Sequence, residues 1–301
     1  MVHRSGAVLS WRRVDREGAA GQRDRSWALR SHLVLELSSP EAPVLRAEAA
    51  PLPGHSLESL EQVQAWLERW GAGWPVPRSD LASLDFALSD LQLQLDGHES
   101  EGDVHVNGLL DEVLRDDDLS ALVAQGVDTV KVKVGRKGQA DAEHRALSEL
   151  AGFRIRADAN RGMGEDFDPD AWAALALDLF EEPAPWSRAV RWAGRLPLAW
   201  DETVRELAPD DLLTGIRPRA VVLKPTLMGS FERLEAWARA ARGAGRRVIF
   251  SHAYESELGL AALLRWTRLL APPGERHGLL PHRFCAPDSF VVQGGIIRGV
   301  S

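Results

Sequence analysis

A ladder of short apolar runs, each ending on a strong polar residue, constrains this chain more than any other feature. From about residue 104 the runs fall at 104–106, 129–134, 153–157, 177–180, 196–200, 220–223 and 248–250, with a weaker one at 278–280. Helical patterns at 140–150, 169–176, 230–242 and 256–270 lie between them. Strands that alternate with helices make βα units, with parallel pairing and crossover helices. Seven or eight units in series predict a closed α/β barrel rather than an open sheet. In such a barrel the chemistry collects at the C-terminal ends of the strands. Those ends carry Lys131 and Lys133, then Asp158 with Asn160, Glu181, Asp201, Lys224, and Ser251 with His252. From Lys133 onward the steps are 25, 23, 20, 23 and 27 residues, each one βα unit long. These residues are expected to ring one barrel mouth.

Strand geometry sharpens the expectation. Residues two apart on a strand share a face. Lys131 and Lys133 therefore point inward together, while Val130, Val132 and Val134 point outward under the helices. Two inward ammonium groups are costly unless acids accompany them. Asp158, Glu181 and Asp201 supply those acids. Three converging carboxylates without His or Cys form a hard, all-oxygen donor set, suited to Mg²⁺, or to Mn²⁺ in its place, rather than zinc. The lysines stand out by composition as well. Only four of the 36 basic residues are lysine: Lys131, Lys133, Lys137 and Lys224. Arginine stays protonated, whereas lysine can serve as a base when its surroundings demand it.

The first hundred residues read as a small α+β unit. A strand is expected at 30–37, a turn-rich loop at 50–54, and a helix at 57–70 capped by Ser56 with Leu60, Val63, Leu67 and Trp70 on one face. A second helix is expected at 81–95, opened by Ser79 or Asp80. The chain thus divides into a unit at 1–97 and a barrel at 98–287. The strand-like tail, 288–301, is expected to return to the first unit.

Composition narrows the function classes. With 301 residues the chain can bury a sizeable core without disulfides. Cys285 is the single cysteine, which suits a reducing, cytoplasmic setting and excludes multi-cysteine zinc chemistry. It is expected simply to pack. A net charge of −8 argues against nucleic acid as a partner. No apolar run is long enough to span a bilayer, and no apolar stretch follows Met1-Val2-His3-Arg4-Ser5, so neither a membrane partner nor a secretory signal is expected. The expected partner is a small carboxylate; no protein partner is inferred.

The motifs KVKVG (131–135), RADAN (156–160), FEEP (180–183), AWDET (199–203) and VVLKPTLMGS (221–230) together resemble the enolase superfamily, nearest its o-succinylbenzoate synthase branch of menaquinone biosynthesis. APLPGHS (50–56), NG (107–108) and YESELGL (254–260) extend the likeness over nearly the whole chain. The resemblance implies a modified (β/α)7β barrel under an N-terminal α+β capping domain. It implies one Mg²⁺ on Asp158, Glu181 and Asp201, Lys133 as general base, Lys224 opposite it and Lys131 assisting. Arg156, Asn160, Ser251 and His252 would line the substrate. The reaction implied is dehydration of 2-succinyl-6-hydroxy-2,4-cyclohexadiene-1-carboxylate through an enediolate. Racemase, dipeptide epimerase or muconate cycloisomerase chemistry on the same site stays open, as does a catalytically dead binding protein. Two departures stand out. Ser251-His252-Ala253-Tyr254 replaces a more serine-rich segment, and Asp201-Glu202-Thr203 replaces the usual DES. Residues Gln22 to Arg25 lie where relatives place a mobile loop.

Overall fold

The structure, a computed structural model, describes residues 7–17, 29–40, 42–98, 102–110, 116–150, 152–165, 167–212, 218–286 and 288–300. Gln22 to Arg25 lie outside the described residues.

The chain opens with an antiparallel sheet in the order β1 (Val8–Glu17), β2 (Leu29–Ser39), β3 (Ala42–Ala49). Only the middle strand is evident from sequence. Leu33, Leu35 and Leu37 of β2 pack with Leu9, Ala47 and Ala49 in a core of their own. Helix α1 (Leu60–Trp70) adds Val63 and Leu67 to that core, and Trp66 stacks on Trp70 with ring centroids 6.0 Å apart. Its cap is Ser59 rather than Ser56: Ser59 accepts the Gln62 amide while the Gln62 side chain accepts the Ser59 amide. Ser56 instead accepts the Leu52 amide and shapes the preceding loop. Helix α2 (Ala82–Leu95) has Leu81 at its N-cap, without a side-chain cap bond. Ser79 is held by Asp85, to which both its amide and its hydroxyl donate. The helix is buried on several sides because it packs against β3 on one side and a later helix on the other. Leu84, Ala87 and Leu91 belong to the first core, while Phe86 and Leu93 reach the second.

Two short strands follow, β4 (Val104–Val106) and β5 (Gly108–Leu110), where sequence suggests one. Then come α3 (Asp116–Ala124), β6 (Thr129–Lys133), α4 (Ala140–Ser148), β7 (Arg154–Asp158), α5 (Pro169–Ala173), β8 (Leu179–Glu181), α6 (Trp186–Ala189), β9 (Leu198–Trp200), α7 (Glu202–Glu206), β10 (Ala220–Leu223), α8 (Pro225–Met228), α9 (Phe231–Gly243), β11 (Arg247–Phe250) and α10 (Glu257–Leu270). The helix against which α2 packs is α8. Strands β5 to β11 form one parallel seven-stranded sheet in sequence order. Val130, Val132 and Val134 are buried in the second core, as strand periodicity requires.

The sheet curls, and backbone bonds carry on past β11. Phe250 accepts the Gly278 amide, and Gly278 accepts the His252 amide. Gly278 follows β12 (Arg276–His277), which pairs in parallel with β4. The tail forms a hairpin of β13 (Phe290–Gln293) and β14 (Ile296–Gly299). Its strand β14 pairs with β4, Ile297 against Val104. Gly295 and Gly126 explain the fit, since a Cβ on either would lie within 3 Å of the other segment's backbone. Among the described residues no helix is long and apolar enough to cross a membrane.

Candidate active site

At the C-terminal end of the curled sheet the polar residues converge. Parallel register sets Lys133 beside Asp158, and Asp158 beside Glu181. The Lys131 ammonium donates to Glu181 Oε1 at 2.5 Å and lies 2.7 Å from Asp158 Oδ2. Lys133 donates to Asp158 Oδ2 at 2.6 Å and to Asn160 Oδ1 at 2.7 Å. Lys224, which follows β10, donates to Asp201. Asp158, Glu181 and Asp201 are almost wholly buried. Burying an ion alone costs several kcal/mol, so each carboxylate must have a counter-charge.

The charges are unevenly settled. Burial works against the charged form of Asp158, but Lys131 and Lys133 outweigh it and hold the carboxyl below its usual range. Asp201 is lowered too: burial opposes, and Lys224 and Lys131 prevail. Lys131 is raised although burial alone would lower it, because Asp158 and Glu181 flank it. Lys224 is likewise raised by Asp201 against its own burial. Glu181 goes the other way. Burial, then the charges of Asp158 and Asp201, push it up to about 8 despite Lys131.

Whether a cation fits is tested on the donor set. The donors are all oxygen, as Mg²⁺ prefers, and they are buried together at one end of the sheet. The chemistry fits. The three do not, however, bring their ligand atoms within 4.8 Å of one another; among the described residues that spacing is met by a different group, His252, Glu255 and His282. Ammonium groups bridge the carboxylates instead.

Above the acids opens a cavity of about 1750 Å³. Lys133 and Asn160 line one wall, Lys224 and His252 another. Leu52, His55 and Arg78, from outside the parallel sheet, line it too. Two sequence-derived site residues fall elsewhere. Arg156 is not on the cavity wall. Its guanidinium donates to Asp178 and Glu275 at 2.8 Å, to Arg276 O at 2.7 Å and to Asn107. It sits two residues before Asp158, one layer deeper in the sheet, so it faces inward yet below the mouth. Ser251 is also off the cavity; its amide donates to Leu223 and it packs against Gly278, where a Cβ would lie 2.7 Å from its hydroxyl.

Other groups escape notice in the sequence. Glu182 is buried and accepts the amides of Asp201 and Thr203, the Thr203 hydroxyl and the Arg161 guanidinium. It fixes the backbone that presents Asp201. The φ of Glu182 is 41° and that of Asn160 is 42°, left-handed values for non-glycine residues just past strand ends. The Glu181-Glu182-Pro183 run announces two acids, but nothing in it says that the second points away from the cavity. Arg161, Arg205, Arg233 and Arg283 also line the cavity, which suits an anionic occupant.

The model of the enolase C-terminal domain-like family matches residues 115–295, more than half of the chain. The chain therefore belongs to the enolase superfamily. Within it, the o-succinylbenzoate synthase of Klebsiella pneumoniae (strain 342) is 30% identical over 297 residues, covering 89% of this chain and 88% of that protein. MenC from Desulfotalea psychrophila LSv54 superposes with a TM-score of 0.77 at 25% identity, covering 98% of this chain and 100% of the other. The o-succinylbenzoate synthase of Thermosynechococcus elongatus BP-1, solved with Mg in the active site, superposes with a TM-score of 0.73. It covers 93% of this chain and 95% of its own at 20% identity, a likeness of fold.

Proposed function

We propose that this protein is an o-succinylbenzoate synthase, a Mg²⁺-dependent lyase that dehydrates 2-succinyl-6-hydroxy-2,4-cyclohexadiene-1-carboxylate to 2-succinylbenzoate. The single observation that carries the assignment is the likeness to a relative of that name, 30% identical over 89% of this chain. Lys133 and Lys224, with three strands of the curled sheet between theirs, line one cavity over buried Asp158, Glu181 and Asp201, which agrees with it. On this view the sheet is a modified (β/α)7β barrel, residues 98–287, with 1–97 as an α+β cap and the tail joined on the barrel side.

Asp158, Glu181 and Asp201 would hold Mg²⁺, with Mn²⁺ as a substitute. The ion would supply a Lewis acid for the substrate carboxylate, steadying the charge that forms when the α-proton leaves. Lys133 Nζ, as the free amine, takes that ring proton, and the electron pair of the broken C–H bond is shared with the substrate carboxylate as an enediolate until the leaving group departs. The ring C–O bond then breaks, and Lys133 Nζ returns its proton to the departing hydroxyl, which leaves as water. The ring becomes aromatic. Asn160 Oδ1 holds the Lys133 ammonium 2.7 Å away and so fixes where the proton is carried. Lys224 stays charged, held by Asp201, and stabilises the anion from its own wall. Lys131 neutralises Asp158 and Glu181. Asn160 and His252 contact substrate from the walls they line.

Two lysines so placed also suit 1,1-proton transfer, which makes racemisation of N-succinylamino acids or epimerisation of dipeptides the second reading. The test is turnover of the cyclohexadiene substrate with Mg²⁺, followed by the change in absorbance as the ring becomes aromatic. Formation of 2-succinylbenzoate is expected, and its loss in EDTA. Epimerisation of dipeptides or succinylamino acids with no conversion of the cyclohexadiene would overturn the assignment.

A further inference from the structure

One cluster beside the catalytic lysines holds more than the substrate contact given to His252 above. His252 follows β11, Glu255 lies in the loop before α10, and His282 and Cys285 lie beyond β12. His252, Glu255 and His282 each offer a ligand atom, and these three atoms lie within 4.8 Å of one another. The two imidazoles lie against each other, 4.4 Å between centroids. Cys285 Sγ is 3.9 Å from His282 Nε2 and 4.0 Å from the Glu255 carbonyl oxygen.

We propose that His252, Glu255, His282 and Cys285 form a second cation site, for a borderline divalent ion such as Zn²⁺. The donor set is nitrogen, oxygen and sulfur, which favours zinc over magnesium. Tetrahedral zinc with bonds of about 2.0–2.3 Å places its donors roughly 3.3–3.7 Å apart. The His252, Glu255 and His282 atoms stand within 4.8 Å of one another, and Cys285 Sγ stands 3.9 Å from His282 Nε2, so a cation would have to draw all four inward, the thiol from outside the group of three. Glu255 is already held in place beside the imidazoles. One of its oxygens accepts the Thr226 hydroxyl at 2.5 Å and the other the Ala253 amide at 2.7 Å. Each oxygen keeps a second lone pair. The histidines accept amides only at long range, from Tyr254 at 3.4 Å and Phe284 at 3.3 Å, so a ring that turns toward a cation gives up little. Charge also agrees. Glu255 and a Cys285 thiolate together cancel a dication, which matters with Lys224 and Arg30 close by. Burial keeps both rings in the neutral, ligating form, His282 at about 3, and pushes the Cys285 thiol up to about 12, so an ion, rather than pH, is what would draw the proton off.

Cobalt(II), a coloured stand-in for zinc, distinguishes this site from the carboxylate group, because only a thiolate ligand gives an intense near-ultraviolet charge-transfer band. The full-length protein is saturated with Mg²⁺ and then titrated with Co²⁺. One equivalent should bind with that band. Cys285→Ser should abolish the band, and His282→Gln should weaken uptake more than about tenfold, while both variants keep the wild-type melting temperature in Mg²⁺. Absence of the band in wild type, or an unchanged band in either variant, would show that the four side chains only pack together.

Discussion

Lys133 is held by two acceptors, yet it has to shed a proton. Arginine at that position keeps the charge and most of the reach but cannot act as a base near neutrality. Lys133→Arg should therefore lower kcat by roughly 10²–10⁴-fold, the usual weight of general-base catalysis, with product binding kept. Lys224 serves as a cation, so Lys224→Arg should cost the dehydration less. Steady-state turnover of the cyclohexadiene by both variants checks this; near wild-type kcat in Lys133→Arg would refute the proton path. A racemase would behave otherwise, since both lysines must then exchange protons and either substitution should stop the reaction. The same scale explains why Arg156 and Lys133 are easily confused in a sequence. Both alternate inward on neighbouring strands, and only depth separates them: Lys133 pairs in register with Asp158 at the mouth, Arg156 with Lys131 one step below.

At the scale of elements, the seam between β11 and β12 is the point to probe. His277 is buried in it, and its Nδ1 accepts the Phe250 amide at 3.0 Å while its carbonyl accepts the Asn107 amide. Burial lowers the ring to about 3, against an ordinary value of 6.5. The unfolded chain therefore binds a proton below pH 6.5 that the folded chain refuses until about 3, so stability falls on acidification across that window. The slope is at most about 1.4 kcal/mol per pH unit for this one group. His277→Asn, which puts an oxygen near the place of Nδ1, should flatten the acid side of a plot of melting temperature against pH; an unchanged profile would exclude His277 as a contributor. Much of this layout can be read in the sequence. The strand ends are legible because parallel strands buried on both faces are nearly continuous apolar runs, and a polar residue closing each one stands out. Strands β1 and β3 are not, since the exposed arginines and acids of VLSWRRVDRE mask the alternation in the first of them. The tail reads as strand-like, but its folding into a hairpin escapes that reading, and its partner strand β4 is set by a glycine contact with Gly126 that no local pattern encodes. His282 and Cys285 follow no periodic element and are brought to His252 only because Gly278 bonds alongside β11.

Taken whole, the molecule gathers charge around one end of its sheet. If Mg²⁺ binds there and not to the unfolded chain, hundredfold excess over Kd should stabilise the fold by about 2.7 kcal/mol. EDTA should reverse the rise in melting temperature; an unchanged melting curve would argue against a bound cation. Arg30 tests the contact between the first sheet and the cavity rim. Its buried guanidinium donates to the carbonyls of Ala50, Pro51, Ala253 and Tyr254, and so ties β2 to both sides of the cavity rim. Arg30→Met leaves those carbonyls without their donor and should cost on the order of 3 kcal/mol. It should raise KM more than it lowers kcat, because the acids and lysines stand on other strands; a selective fall in kcat would contradict that separation. The two larger hydrophobic clusters have a consequence for descent as well. His55 and Arg78 reach the cavity from the first hundred residues, while the proton-handling groups rise from strands packed in the other cluster; Leu52 packs between the two with Leu227 and Ala253. Substitutions in the first can reshape what the cavity admits without disturbing the strands that hold the lysines and carboxylates, so a lineage carrying this chain can explore new substrates while its chemistry is inherited intact.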